Sequence, residues 1–253
     1  MNFKSNPIFK ANKLVLLLLL ALFNFSCRNK KSNNQFAYSE SAKIDLPQNH
    51  QIHGIDLSHF NGKINFDKIK DIDLFDTTSI KFIYIKATEG KTLKDKYFEG
   101  NWKEAHEKGF KCGAYHFFIP NRDPEEQAEL FCNIVKLSSG DLPPVCDFES
   151  PISISKEKLK AKIQIFLDKL QDNYGVKPII YTNKKLYHKI FKEEFSDYNF
   201  WIAHYDTEDV DQTIENLVFW QHNKDGKLPG HAGKFDYNVF LGDEEDFNSL
   251  LIK

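Results

Sequence analysis

Pro143-Pro144-Val145-Cys146-Asp147-Phe148-Glu149-Ser150 is a short apolar run that ends in two acids one residue apart. Successive side chains of a β-strand alternate faces, so Asp147 and Glu149 point the same way, roughly 7 Å apart along the strand. Val145, Cys146 and Phe148 mark the strand as buried. A buried pair of carboxyl groups is costly unless desolvation and like-charge repulsion serve to raise one pKa. That is how a carboxylic acid stays protonated near neutrality. An isolated Asp-x-Glu is nevertheless more often a strand end whose acids cap a helix or pair with lysines, because structural ion pairs perturb pKa values too. The flanking chain has to decide between the two readings.

On either side of this run lie seven more short apolar segments: His53-Leu57, Lys81-Ala87, Lys111-Phe118, Pro178-Thr182, Phe200-His204, Leu217-Gln221 and Lys234-Phe240. Helical patterns separate the early ones, over Phe98-Lys108, Asp123-Leu137, Ser155-Tyr174 and Lys184-Phe195, with a weaker pattern near Asp67-Phe75. In the third of these, Leu159, Ile163, Phe166, Leu167, Leu170 and Tyr174 form one face and Ser155 serves as N-cap. Asp123-Pro124-Glu125-Glu126 supplies the second with a cap and a proline at the first helical position. Strand-helix alternation argues for an α/β fold with a parallel sheet and right-handed crossovers, and eight strands suggest a closed, TIM-like barrel. Little helix separates the last three strands, so about five flanking helices are expected instead of eight.

The chain opens with Met1 to Ser26, which holds Lys4, Lys10 and Lys13 and an apolar run from Leu14 to Leu22. This is the pattern of a secretory signal, too short and wrongly flanked for a membrane span. Ser26-Cys27 at its end looks like a bacterial lipoprotein cleavage site, with Cys27 as the lipidated residue, although Asn24 and Phe25 depart from the usual residues there. Residues 27–50 are polar, rich in Asn, Ser and Lys, and read as a flexible tether. The remaining 51–253 suffices for one well-cored domain. The signal contains three lysines and no acid, so 31 basic residues face 36 acidic ones after it, a formal charge of −5. There is no basic excess to suggest nucleic acid. Cys112, Cys132 and Cys146 are an odd number without metal-ligand spacing, and Cys112 and Cys146 read as small core residues. A monomer is expected.

In barrels of this class chemistry sits at the C-terminal ends of the strands. Asp56 ends the first strand, Glu89 follows the second, His116 ends the third, Asp147 and Glu149 end the fourth, and Asp236 lies within the eighth. Strand order thus gathers the acids on one rim and favours the functional reading of Asp147 and Glu149. His53 and His59 lie on a strand and its following loop in a spacing that makes no ligand motif, so metal-independent chemistry is favoured and no cofactor is expected.

The ordered blocks Gly54-Ile55-Asp56-Leu57-Ser58, Phe82-Ile83-Tyr84-Ile85-Lys86-Ala87-Thr88-Glu89-Gly90, Gly113-Ala114-Tyr115-His116-Phe117-Phe118, Asp147-Phe148-Glu149, Tyr181-Thr182-Asn183, Trp201-Ile202-Ala203-His204-Tyr205, Trp220-Gln221 and Asp236-Tyr237-Asn238 resemble the glycoside hydrolase family 25 lysozymes. The resemblance covers about Gly54 to Phe247. It implies an eight-stranded barrel with five helices and an N-acetylmuramidase that cuts the β-1,4 bond from N-acetylmuramic acid to N-acetylglucosamine in peptidoglycan. Carried over by position, Glu149 is the general acid, and Asp147 raises its pKa and steadies positive charge at the sugar. Asp56 and Asp236 match two further acids of the site, and Glu89 matches a residue near the chemistry. Tyr115, Tyr181, Trp201 and Tyr205 would supply faces for sugar rings, or simply barrel core. His116 could orient an acid or simply fill a layer of the barrel, and the second reading is favoured.

Two departures qualify the match. Asn61-Gly62 stands where the family often has glutamine before glycine, which bears on substrate contacts, and Cys146 replaces a commoner aliphatic residue. The stereochemical course stays open between a covalent route, an attacking water and participation by the sugar's own acetamido group. A family 18 chitinase-like barrel would need aspartates where Leu142 and Val145 stand. A surface lipoprotein that binds glycans without cutting them is the rival of a different class, and a phosphodiester-cleaving barrel would need metal ligands the sequence does not display.

Overall fold

The computed structural model describes residues 35–76, 78–150, 154–205, 207, 209–210 and 213–253. The expected signal, Cys27 with its lipid, and the first part of the tether lie outside the described residues.

The rest of the expected tether is not a tether. Phe36–Ser39 (β1) and Ile44–Pro47 (β2) pair antiparallel as a ribbon. Ala42 and Leu46 within it are fully buried. Phe36 meets Trp220 edge-on at 6.3 Å between ring centroids, and Lys227 donates its backbone N–H to the Ala42 carbonyl at 2.7 Å. Trp220 stands on the outer face of a barrel strand, and among the described residues the ribbon supplies the lid for this apolar face. Three apolar side chains in a polar stretch are enough to make one, which is why composition suggested a linker.

The barrel follows as Ile52–Leu57 (β3), Ile80–Glu89 (β4), Lys111–Phe117 (β6), Val145–Asp147 (β7), Ile179–Asn183 (β8), Phe200–Ala203 (β9), Leu217–Gly226 (β10) and Phe235–Phe240 (β11). A two-residue strand, Leu93–Lys94 (β5), hangs from the end of β4. The order β3-β11-β10-β9-β8-β7-β6-β4 is closed by β3 pairing with β4, so the eight expected strands form a closed barrel. The sheet is not wholly parallel, however. β11 runs antiparallel to both β10 and β3. Only eight residues, Lys227 to Lys234, separate β10 from β11, too few for the crossover a parallel return requires.

Among the described residues five helices flank the strands: Phe98–Glu107 (α1), Pro124–Ile134 (α2), Lys156–Tyr174 (α3), Lys184–Leu186 (α4) and Glu244–Leu250 (α5). Asp123 caps α2 by accepting from Glu125 and Glu126 N–H, Ser155 caps α3, and Gly175 at φ 70° ends α3 in the left-handed region. The expected helix over 184–195 is one α turn continuing into a π-type turn at Tyr187–Phe191, and the one expected over 67–75 is a single 3-10 turn at Phe66–Lys68. Glu244–Leu250 escaped the periodicity search, yet Asp243 and Asp246 cap it reciprocally.

Inside the barrel, the Phe82 ring packs against Phe219 and the Tyr84 ring against Trp201 and Phe219, while Ile83 and Ile85 belong to the outer cluster shared with the helices. A Cβ on Gly54 would stand 2.5 Å from the Phe82 ring and one on Gly113 2.1 Å from the Tyr84 ring. These two glycines are therefore the room into which the large rings pack, and the interior closes below the rim. Cys112, Cys132 and Cys146 are free thiols, the first and last buried.

Candidate active site

At the strand-end rim a cavity of about 230 Å³ is lined by Asp56, Asp147, Glu149 and Asp236, by Tyr115, Tyr181, Trp201 and Tyr205, and by Ser58, Phe60, Lys86, Phe117 and Gln221. All four expected acids and all four expected aromatic residues meet there. Glu89 does not line it. Its carboxylate instead pairs with the Lys86 ammonium at 2.7 Å, and it acts on the cavity through that lysine and through a weaker repulsion that helps to raise Asp147.

The reversal of β11 explains how Asp236 reaches the site. Parallel strands present their C-terminal ends to the rim, whereas an antiparallel strand presents its beginning. Asp236 is the second residue of β11 and is the register partner of Asp56 near the end of β3. On β7, Asp147 points inward and is 5% exposed, Phe148 turns into the outer core, and Glu149 turns back to the cavity mouth, where it keeps a solvent-facing edge while the barrel walls partly desolvate its carboxyl. Alternation thus carries on past the last ladder residue, and the geometry read from the sequence is realised.

A hydrogen-bond network fixes Asp56. Its Oδ2 accepts from Gln221 Nε2 at 2.8 Å and from Asn238 Nδ2 at 2.9 Å. The Asn238 amide can be oriented without ambiguity, because its Oδ1 accepts at 2.8 Å from Trp201 Nε1, which can only donate. Gln221 Oε1 accepts from the Tyr181 hydroxyl at 2.8 Å and from the Tyr205 hydroxyl. With Oδ2 occupied as an acceptor twice over, any proton that Asp56 holds resides on Oδ1. Trp201 and Tyr181 are buried in the cavity floor, and Tyr115 and Tyr205 are half-buried walls.

Burial and crowding raise every acid of the site. Asp56 is pushed up by burial first and then by Asp236, against the pull of its two amide donors. Asp236 is pushed up to about 7 by burial and by Glu149. Asp147 is raised by burial and by the neighbouring Glu149, and Glu149 is raised by burial, with Lys86 lowering both. Both carboxyl groups of the pair thus stand above the ordinary range, with burial the first cause for each. Four carboxyl groups share one cavity with one lysine among its described residues, so protons are retained there at neutral pH.

Lys86, Gln221 and Asn238 were not singled out by the sequence, although each lay within a quoted block. Lys86 had a signal. It is a lone lysine in the apolar run Phe82-Ala87, at even spacing from the inward-facing Phe82 and Tyr84, and its ammonium sits 4.7 Å above the Phe117 ring. His116 lies outside the barrel layer it was assigned to. It is wedged between strands and helices, with Thr88 Oγ1 at 2.7 Å, Gln127 Oε1 at 3.2 Å and the Phe166 ring beside it at 4.8 Å. The side chain of Asn61 ties its own loop to the loop before β11: Oδ1 accepts from Ser58 N–H at 2.8 Å and Nδ2 donates to the Lys234 carbonyl at 3.0 Å.

Residues 55–231 match the sequence profile of the glycosyl hydrolases family 25. The chain belongs to that family. This family 25 enzyme is 30% identical to lysozyme M1 of Streptomyces globisporus over 206 residues, 76% of this chain and 68% of the relative. It is 35% identical to the YegX protein of Escherichia coli strain K12 over 212 residues, 84% of this chain and 78% of the relative. Its fold superposes on a solved family 25 glycosyl hydrolase from Bacillus anthracis with a TM-score of 0.72 and 32% identity, covering 81% of this chain and 95% of that one. A family 25 barrel therefore carries the cavity.

Proposed function

We propose that Glu149 and Asp147 carry out acid chemistry on the β-1,4 bond between N-acetylmuramic acid and N-acetylglucosamine. The chain is a peptidoglycan hydrolase of the lysozyme type. Glu149 stands at the cavity mouth with its carboxyl held above the ordinary range, so it can carry a proton to the leaving glycosidic oxygen. Asp147 lies deeper, and its Oδ1 is buried with no hydrogen-bond partner among the described residues. That oxygen is free to accept from the sugar and, when ionised, to oppose the positive charge that builds at the anomeric carbon. Asp56 and Asp236 complete the negative wall, and the four aromatic residues supply ring faces and hydroxyl edges.

The observation that carries this reading is the convergence of the Asp147 and Glu149 pair with Asp56 and Asp236 in one aromatic-lined cavity. Incubation of the protein with peptidoglycan tests it. New N-acetylmuramic acid reducing ends are expected, with Glu149→Gln lowering the rate by about 10²-fold or more and Asp147→Asn lowering it in a folded protein. Unchanged release by Glu149→Gln refutes the assignment. The signal-like Met1 to Ser26 and Cys27 support export and a lipid anchor that keeps the barrel beside the wall. Cys27→Ser should then move the protein from the membrane fraction to the soluble one.

A further inference from the structure

Phe60 is the most exposed large hydrophobic side chain among the described residues, at 86%, and it lines the cavity that holds the acids. The loop that carries it is braced on every side. Ser58 N–H donates to Asn61 Oδ1 and Asn61 N–H to the Ser58 carbonyl, and Gly62 takes φ 71° to close the turn. Asn61 is tied across to Lys234, its carbonyl lies 2.7 Å from His231 Nε2, and His59 N–H donates at 2.7 Å to Asp95, which is 2% exposed. The His59 ring backs the phenyl ring with 4.1 Å between centroids. An exposed phenyl ring is unfavourable in water, and here it is held still at the edge of a polar, acidic cavity. A flat apolar surface beside hydrogen-bonding carboxyl groups matches a pyranose, which has an apolar C–H face and polar edges.

We propose that Phe60 is a sugar-stacking residue of a glycan subsite at the cavity mouth, and that the loop from Ser58 to Gly62 is built to present it. The proposal rests on the glycan-hydrolase reading of the cavity for its occupant. Its test uses the full chain and peptide-free glycan strands. Phe60→Ala is expected to raise KM about tenfold while kcat stays within about twofold, and Phe60→Trp to restore wild-type KM. Binding of the same strands, measured calorimetrically in a Glu149→Gln background, should weaken by the same factor. If the wild type cleaves and Phe60→Ala shows unchanged KM and binding, the proposal falls while the hydrolase reading stands. If the wild type binds without cleaving and Phe60→Ala weakens binding, the hydrolase reading falls and the subsite stands. A Phe60→Ala protein that loses self-association in sedimentation but keeps glycan affinity also overturns the proposal, in favour of contact between two copies.

Discussion

Asp56 and Asp236 face each other across the antiparallel pair of β3 and β11, register partners at the rim of the barrel. Like charges directly opposite on a sheet oppose folding. Here the repulsion is eased by protons, since Asp236 is pushed up to about 7 and Asp56 also stands above the usual carboxylate range.

A raised acid stabilises the fold below its unfolded pKa, and that contribution is lost as pH climbs through the folded value. For Asp236 the window runs from 3.8 to about 7. Asp236→Asn removes this dependence. The variant should match the wild type in urea denaturation at pH 4 and exceed its stability by roughly 1–4 kcal/mol at pH 8. Its hydrolytic rate should nevertheless fall, because the charge belongs to the site and not to the fold. Identical pH–stability curves for the two proteins would remove the argument.

Lys86 draws the pKa values of Asp147 and Glu149 downward. Lys86→Met should therefore move the acidic limb of the pH–activity profile to higher pH and cut the rate at pH 6 by about tenfold or more. It also leaves Glu89 unpaired, at a cost of about 1–3 kcal/mol in unfolding experiments. Lys86→Arg should keep the limb near its wild-type position. A profile that loses height without shifting would assign Lys86 a purely structural role.

Leu46 tests the ribbon. A residue in a solvated tether could be truncated without effect, whereas Leu46 is fully buried in the main apolar cluster. Leu46→Ala is expected to cost about 2–5 kcal/mol in denaturant titrations. Activity at low temperature should be retained, since the ribbon covers the outer face at Trp220 and does not line the cavity.

Much of the site was legible because a barrel strand has a period of two and its chemistry collects at one rim. Asp147 and Glu149 share a side by that rule, and Asp56 joins them by strand order. Lys86 is masked by the apolar run around it, though its even spacing from Phe82 and Tyr84 marks it as inward. Gln221 and Asn238 carried no signal of their own. An amide becomes part of a site only through what it touches, and their partner Asp56 lies 165 and 182 residues away. Glu89 ends β4 near the rim as its position implied, but the Lys86 ammonium three residues earlier holds its carboxylate away from the cavity lining.

The sequence by itself determined the number of strands, the convergence of the acids and the family likeness, because these follow from local periodicity and from the order of short motifs. Tertiary structure decided the direction of β11, the burial of the N-terminal ribbon and the burial that raises the acids. Each of those depends on neighbours distant in the chain. Eight residues between β10 and β11 force a return, an uncovered Trp220 recruits Phe36, and the burial that raises Glu149 is a property of the closed barrel, not of the Asp-x-Glu that first drew notice.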